Sequence, residues 1–201
     1  MATAEKAIAE FNFESNGSQL SPEEFDEAEF ELGWRYELVN GVLIVNPPPS
    51  LSERDPNEEL GHLLRNYQET HPLGTSLDAT VSEQTVNVGA NRRRVDRAIW
   101  AGLGRLPHCH ETPTIAVEFV SRGKRNRHRD YELKCAEYNS AGVQEYWIVD
   151  RFLHVMVVYQ FTTGVVSRRS YDRHQVLTTT CLPGFELSLE RLFTLADRWE
   201  E

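Results

Sequence analysis

Cysteine is scarce in this chain. Cys109, Cys135 and Cys181 are odd in number and show no Cys-x-x-Cys spacing, which removes a disulfide framework and points to a reducing cytoplasm. No run of about 18 apolar residues is present to span a membrane. The N-terminus lacks a basic region followed by an apolar stretch, so no secretory signal is expected. Internal repeats and low-complexity tracts are missing as well, which sets aside solenoids and biased linkers. Positive charge is outnumbered: 21 Lys and Arg against 31 Asp and Glu give a net charge of −10. Such a chain does not coat nucleic acid non-specifically.

What is there suits one α/β domain of ordinary hydrophobic content, long enough at 201 residues to bury a core. Residues 1–20 carry no periodicity and read as a loose leader, leaving 21–201 as the single domain. Between Asn91 and Lys134 stand eleven Lys or Arg and only five Asp or Glu. The positive charge of an acidic chain is therefore gathered in one segment, as a polyanionic partner such as DNA requires.

Local patterns predict the elements. Ser21-Pro22-Glu23-Glu24 is a capping box with proline at the first helical position, opening a helix expected to run to about Gly33. Trp34 to Val39, the turn Asn40-Gly41 and Val42 to Val45 form a hairpin. Pro47-Pro48-Pro49 breaks the chain, and Asp55-Pro56-Asn57-Glu58 reads as a second capped helix start. Leu60, Leu63, Leu64 and Tyr67 then recur at helical spacing. Strands are expected over 77–88, 93–101, 114–121, 144–150, 154–161 and 164–171. Residues 122–129 read as a basic loop before a helix ending near Ser140. Ser188 opens a closing helix with an apolar stripe of Leu189, Leu192, Phe193 and Ala196. Hairpins flanking one strand–helix–strand unit imply a mixed sheet with helices beside it.

The run Thr114-Ile-Ala-Val-Glu-Phe-Val-Ser121 is almost wholly apolar or small, the mark of a strand buried on both faces. Glu118 lies in its middle. A lone buried carboxylate is costly unless something cationic meets it. A divalent metal held jointly by Glu118 and Asp96 resolves the conflict, since Mg or Mn takes hard oxygen ligands, usually one or two carboxylates with water. Lys134, one helix later, would position the attacking water or stabilise charge in the transition state.

At these residues the chain resembles the Uma-type restriction endonuclease family, a large bacterial family within the PD-(D/E)XK nuclease superfamily. The resemblance rests on Tyr36-Glu-Leu-Val-Asn-Gly41, Pro47-Pro-Pro-Ser50, Val95-Asp96, Val117-Glu-Phe-Val-Ser121, Asp130-Tyr-Glu-Leu-Lys134 with Tyr138, Gly142-Val-Gln-Glu-Tyr-Trp-Ile-Val-Asp150 and Leu182-Pro-Gly-Phe185. It implies a restriction-endonuclease-like mixed β-sheet flanked by helices, with an N-terminal hairpin and C-terminal antiparallel strands. It also implies a metal-dependent endonuclease hydrolysing DNA phosphodiester bonds. The family's acids map onto Asp96 and Glu118, and Glu37 matches an acid of its first hairpin. The lysine that usually follows the second acid by two positions is replaced by Val120, and Lys134 takes its place. The chain also departs from the pattern with Gly41-Val42 in the hairpin and Ser52-Glu53 after the prolines. Neither departure touches the central three residues.

Auxiliary candidates are Glu59, Gln84, Ser121, Asp130 and Tyr138, and Arg122, Lys124, Arg125, Arg127 and Arg129 are placed to contact phosphate. Each has a plainer alternative. Asp96 could pair with Arg94 or Arg97, Asp130 and Lys134 have the spacing of a routine surface salt bridge, and Glu37 could face solvent. Gln84 could be an ordinary strand glutamine, and the basic run a solvated loop. His108-Cys109-His110 is too tightly spaced for the usual zinc pairs, so no zinc is expected. The rival to a nuclease is a catalytically weak or inactive nuclease-like scaffold binding nucleic acid or a protein. A third reading is a phosphoesterase acting on a small substrate. A homodimer would let two sites cut opposing strands, with the stripe of the closing helix as its interface.

Overall fold

The computed structural model describes residues 9–162 and 164–199, with the side chain of Arg125 left out. The chain divides into two compact units, Met1–Pro48 with Asn87–Arg94, and Pro49–Val86 with Val95–Glu201.

In the first unit, β1 (Glu10–Phe11) lies parallel to β2 (Glu29–Phe30), with α1 (Pro22–Glu27) between them. The start of α1 is the predicted box: Ser21 Oγ accepts from the Glu24 N–H at 3.1 Å and Glu24 Oε2 accepts from the Ser21 N–H at 2.7 Å. The helix stops at Glu27, short of the expected Gly33. In the apolar cluster the Phe30 ring lies 4.8 Å from that of Phe25 and 4.5 Å from that of Tyr36. A five-residue step on a continued helix would turn Phe30 away from Phe25's side, so the chain extends instead. The hairpin β3 (Arg35–Val39) and β4 (Val42–Asn46) forms as expected, with Asn40 at φ 51° and Gly41 at φ 76° supplying the two left-handed turn residues. Arg92 pairs with Leu38 across the ladder and grips Asp26 through two contacts of 2.7 Å and 2.6 Å.

In the second unit, α2 (Leu51–Thr70) begins four residues before the predicted start. Ser50 is its N-cap, and Glu53 Oε2 accepts from the Ser50 N–H at 2.8 Å. The Ser-x-x-Glu pattern at 50–53 thus outcompetes the Asp-Pro signal. Pro56 lies inside the helix, where it forgoes one backbone bond, and Glu58 is not the capping acid. Leu60, Leu64 and Tyr67 are buried as their spacing predicts.

Beyond β5 (Leu77–Val88), the strand β6 (Asn91–Ala101) contributes residues 95–101 to this unit. It is antiparallel to β7 (Ile115–Phe119), which is parallel to β8 (Glu145–Asp150). Antiparallel β9 (Val155–Thr162) and β10 (Val165–Asp172) complete a mixed sheet. The β7–β8 crossover is helical from Lys124 onward: α3 (Lys124–His128), a π-helical turn at Arg129–Leu133, and α4 (Lys134–Ser140). The expected basic loop is therefore mostly helix, in keeping with the helix preference of Lys and Arg.

Short strands β11 (Val176–Thr178) and β12 (Glu186–Ser188) pair before α5 (Leu189–Asp197). Leu189, Leu192, Phe193 and Ala196 are buried in the core with Leu60, Leu64, Ile99, Val117 and Trp147. The stripe proposed as a dimer interface is thus spent on this unit's own core. No helix among the described residues is long and apolar enough to cross a membrane.

Candidate active site

The sheet register sets the site. Arg97 pairs with Val117, so Asp96 and Glu118, one step on in antiparallel strands, stand opposite each other. Alternation sends Val117 and Phe119 into the core shared with α2 and α5, and Asp96 and Glu118 to the other face. Asp96 Oδ2 accepts the Phe119 backbone N–H at 2.6 Å. Asn57 of α2 donates to the Asp96 carbonyl at 2.9 Å. These two bonds hold both ends of the Asp96 side chain and peptide.

On that face Glu118 meets α4. Its Oε1 accepts from Lys134 Nζ at 2.7 Å and from the Tyr138 hydroxyl at 2.8 Å. Lys134 and Tyr138 are four apart on α4, so both reach the same oxygen from one helix face. Glu118 and Lys134 are each 2% exposed, and Tyr138 is fully buried with its ring edge-on to Tyr146 at 5.0 Å. Burial raises the Glu118 pKa, the Lys134 ammonium opposes that rise, and Asp96 and Asp130 reinforce it. Burial also lifts the Tyr146 hydroxyl well above the ordinary tyrosine range.

Asp130 belongs to the same cluster. It is buried within the π-helical turn, its Oδ1 accepts from Arg129 Nε at 2.9 Å, and its Oδ2 has no hydrogen-bond partner. Burial raises its pKa, while Lys134 and Arg129 lower it. Lys134 and Asp130 therefore do not form the routine surface pair that their spacing allowed, since both are buried. A π turn inside a helix widens one turn and commonly occurs at functional sites.

The basic helix lies just beyond. Ser121, Arg122, Lys124 and Arg127 line a surface pocket of about 300 Å³ together with Gly123 and Phe152. Arg122 and Lys124 are exposed. Arg127 reaches the fully buried Asp150 at 2.5 Å, where the Tyr131 hydroxyl also donates at 3.0 Å. Arg129 is turned to Asp130, and the Arg125 side chain lies outside the described residues. Ser121 Oγ donates to Glu53 Oε1 at 2.5 Å, which links the end of β7 to the first turn of α2.

The remaining candidates are engaged with other partners. Glu37 is buried in the first unit, where it accepts the Arg94 N–H at 2.9 Å and lies 3.8 Å from Arg93. It does not face solvent on an open strand. Glu59 is not brought to Asp96 and Glu118: its Oε1 is 2.6 Å from Arg191 Nε on α5. Gln84 donates to the Thr85 carbonyl at 3.0 Å. Sequence reasoning passed over Asn57 and Glu53. Glu53 had a readable signal in the Ser50-x-x-Glu53 box, whereas nothing local marks Asn57 as the clamp on Asp96.

No cluster of three or more His, Cys, Asp or Glu among the described residues is arranged to hold a metal. A pair of opposed carboxylates is nevertheless a hard, all-oxygen donor set. Magnesium commonly takes one or two carboxylates, with water and substrate phosphate completing its shell. The orphaned Oδ2 of buried Asp130 leaves an acceptor beside the pair with no internal partner. The residues present therefore fit a divalent ion of the magnesium or manganese type.

The chain matches the family model described as Uma2, Putative restriction endonuclease, across residues 22–190. Among solved structures it is similar to a crystal structure described as a putative nuclease belonging to DUF820 from Anabaena variabilis ATCC 29413. The TM-score is 0.69 and the identity 13%, over 88% of this chain and 99% of that one. At that identity the likeness shows the fold, a mixed α/β sheet flanked by helices. No curated protein matches.

Proposed function

We propose, for a chain that belongs to the Uma2 Putative restriction endonuclease family, that it is a metal-dependent endonuclease hydrolysing phosphodiester bonds in DNA. The carrying observation is the buried Glu118 carboxylate, met on one side by Lys134 and Tyr138 and faced across the strands by Asp96. Asp96 and Glu118 would hold Mg or Mn, which when bound polarises a phosphoryl oxygen and lowers the pKa of a bound water.

The chain's own residues do the rest. Tyr138 and Lys134 fix the Glu118 rotamer, and the Lys134 ammonium opposes the burial that favours a protonated carboxyl. The same ammonium would stabilise negative charge developing on the scissile phosphate. Phe119 N–H and Asn57 fix Asp96. Arg122 and Lys124, exposed beside Ser121 at the end of β7, take flanking phosphates of the strand.

The test is nicking of supercoiled plasmid in manganese by wild type, Glu118→Gln and Lys134→Ala. Wild type is expected to nick and both variants to lose activity. Undiminished cleavage in both variants would remove these residues from the mechanism. Failure of the wild type to take up manganese in calorimetry would favour a non-cutting scaffold.

A further inference from the structure

Strand alternation puts Arg97 on the opposite side of the sheet from Asp96, and apart from Asn57 its surroundings have no role in the chemistry above. Arg97 is 4% exposed. Its Nε donates to Asn57 Oδ1 at 2.7 Å, Nη2 to the Asn57 carbonyl at 2.8 Å, and Nη1 to Thr80 Oγ1 at 3.3 Å. All three acceptors are neutral, and none of these contacts is with a carboxylate. Gly61 is what lets α2 lie this close, because a Cβ there would stand 2.6 Å from Nη2. A buried cation without a counter-ion is costly, and burial lowers the Arg97 pKa accordingly.

The compensating charge has a place to sit. Arg97 forms the floor of a surface pocket of about 460 Å³, whose wall includes Arg65, His62, Ser82 and Thr80. Arg65, His62 and Ser82 are exposed, and Arg65 is held against the wall by a bond from Nη2 to the Thr80 carbonyl at 3.2 Å. Glu58 is the acid on this wall; its charge reaches Arg97 without forming an ion pair with it. Each terminal nitrogen of Arg97 carries a second N–H beyond the one described, and a planar two-nitrogen fork matches the oxygens of a phosphate.

We infer that this pocket, floored by Arg97 and walled by Arg65, His62 and Ser82, binds a phosphate group on the sheet face opposite Asp96. The group is either free or part of a small phosphorylated molecule, or else belongs to a nucleic-acid backbone. Asn57 joins the two faces, since its side-chain oxygen holds Arg97 while its amide holds the Asp96 carbonyl. The site does not depend on the metal chemistry proposed above.

The experiment is a phosphorus-31 NMR titration of metal-free protein with inorganic phosphate at fixed ionic strength, alongside the thermal midpoint. Saturable line broadening and a rise in midpoint over matched chloride are expected. Ser82→Glu puts a carboxylate at an exposed wall position, so it tests the site without disturbing the core. It is expected to weaken binding by about tenfold or more, the equivalent of losing one charge-assisted contact. Arg97→Met is expected to abolish binding, whereas Arg122→Gln, just ahead of the basic helix, leaves it unchanged. Failure to saturate in wild type, or equal affinity in Ser82→Glu, overturns the assignment. Loss in Arg122→Gln with retention in Ser82→Glu moves the site elsewhere and also overturns it. A short DNA duplex added to the phosphate complex identifies the source. Displacement indicates backbone phosphate, and simultaneous binding indicates a small phosphorylated ligand.

Discussion

Lys134 Nζ donates to Glu118 Oε1 at 2.7 Å across a separation of 16 residues, with a π-helical turn between them. The pair is buried on both sides, so its worth is decided by desolvation rather than by surface Coulomb attraction. Two further acids, Asp96 and Asp130, act on the same carboxyl. The cations described against these three carboxyl groups are the Lys134 ammonium on Glu118 and the Arg129 guanidinium on Asp130.

The first consequence is a dependence of stability on pH. Burial raises the Glu118 pKa to about 8, with Lys134 opposing and Asp96 and Asp130 assisting. In the unfolded chain the same group titrates in the ordinary carboxylate range, near 4.3. Between those values the folded state keeps a proton that the unfolded state has lost. The stabilisation is complete below the unfolded pKa and disappears as pH rises through the folded one. Asp130, also raised by burial, acts in the same direction. Urea midpoints of metal-free protein should therefore fall as pH climbs from about 4.3 to 8. Glu118→Gln should flatten that slope without erasing it. An unchanged slope in the variant would contradict the placement of the raised carboxyl at Glu118.

Lys134→Met separates an electrostatic role from a packing role. Methionine fills irregular space without charge, so the principal influence opposing burial is removed and the Glu118 pKa should rise further. Since a metal competes with the proton for that carboxylate, the pH at which manganese binds should move upward. Calorimetric titrations at a series of pH values read this directly. A variant that is merely less stable, with an unmoved binding profile, would reduce Lys134 to a structural residue.

How much of this was legible in advance varies by residue. Glu118 stood out because a charge inside an apolar strand conflicts with burial, and that conflict can be read one residue at a time. The Asn40-Gly41 turn and the spacing of Leu60, Leu64 and Tyr67 are local signals of the same kind, and both elements form as expected. The start of α2 differs from the expected one because two capping signals compete within residues 50–58, and only the surroundings of Glu53, which also receives Ser121, favour the earlier one. Asn57 was invisible for a different reason. Its two partners are 39 and 40 residues away, and nothing in its own neighbourhood distinguishes it from any helical asparagine. The end of α1 was hidden likewise, because it depends on Phe30 reaching Phe25 and Tyr36.

Asp150 anchors the basic helix and can be tested without any assumption about catalysis. Its buried carboxylate accepts from Arg127, from Tyr131 and from the Phe152 and Leu153 N–H groups. Asn in its place presents an NH2 where the site offers mainly donors, and leaves a buried group unsatisfied at a cost of about 1–3 kcal/mol. Asp150→Asn should lower the urea midpoint accordingly and increase amide exchange through 124–131. Exchange as slow as in wild type would show that Asp150 does not secure this segment.

Gly61→Ala pits two effects of opposite sign. Alanine is the better helix former by about 1 kcal/mol, which alone would stabilise α2. Against it, the new methyl would stand 2.6 Å from Arg97 Nη2, and overpacking of this kind costs roughly 1–3 kcal/mol. Moving the guanidinium aside also breaks its bonds to Asn57 and Thr80, stranding buried donors at about 1–3 kcal/mol more. The steric and hydrogen-bond costs outweigh the propensity, so the single variant should be destabilised. With the guanidinium gone, in an Arg97→Met background, the same substitution should turn neutral or favourable. The difference between the two backgrounds is the coupling between residues 61 and 97, read from urea denaturation of all four proteins. Equal effects in both backgrounds would mean that Gly61 is not held as glycine by Arg97.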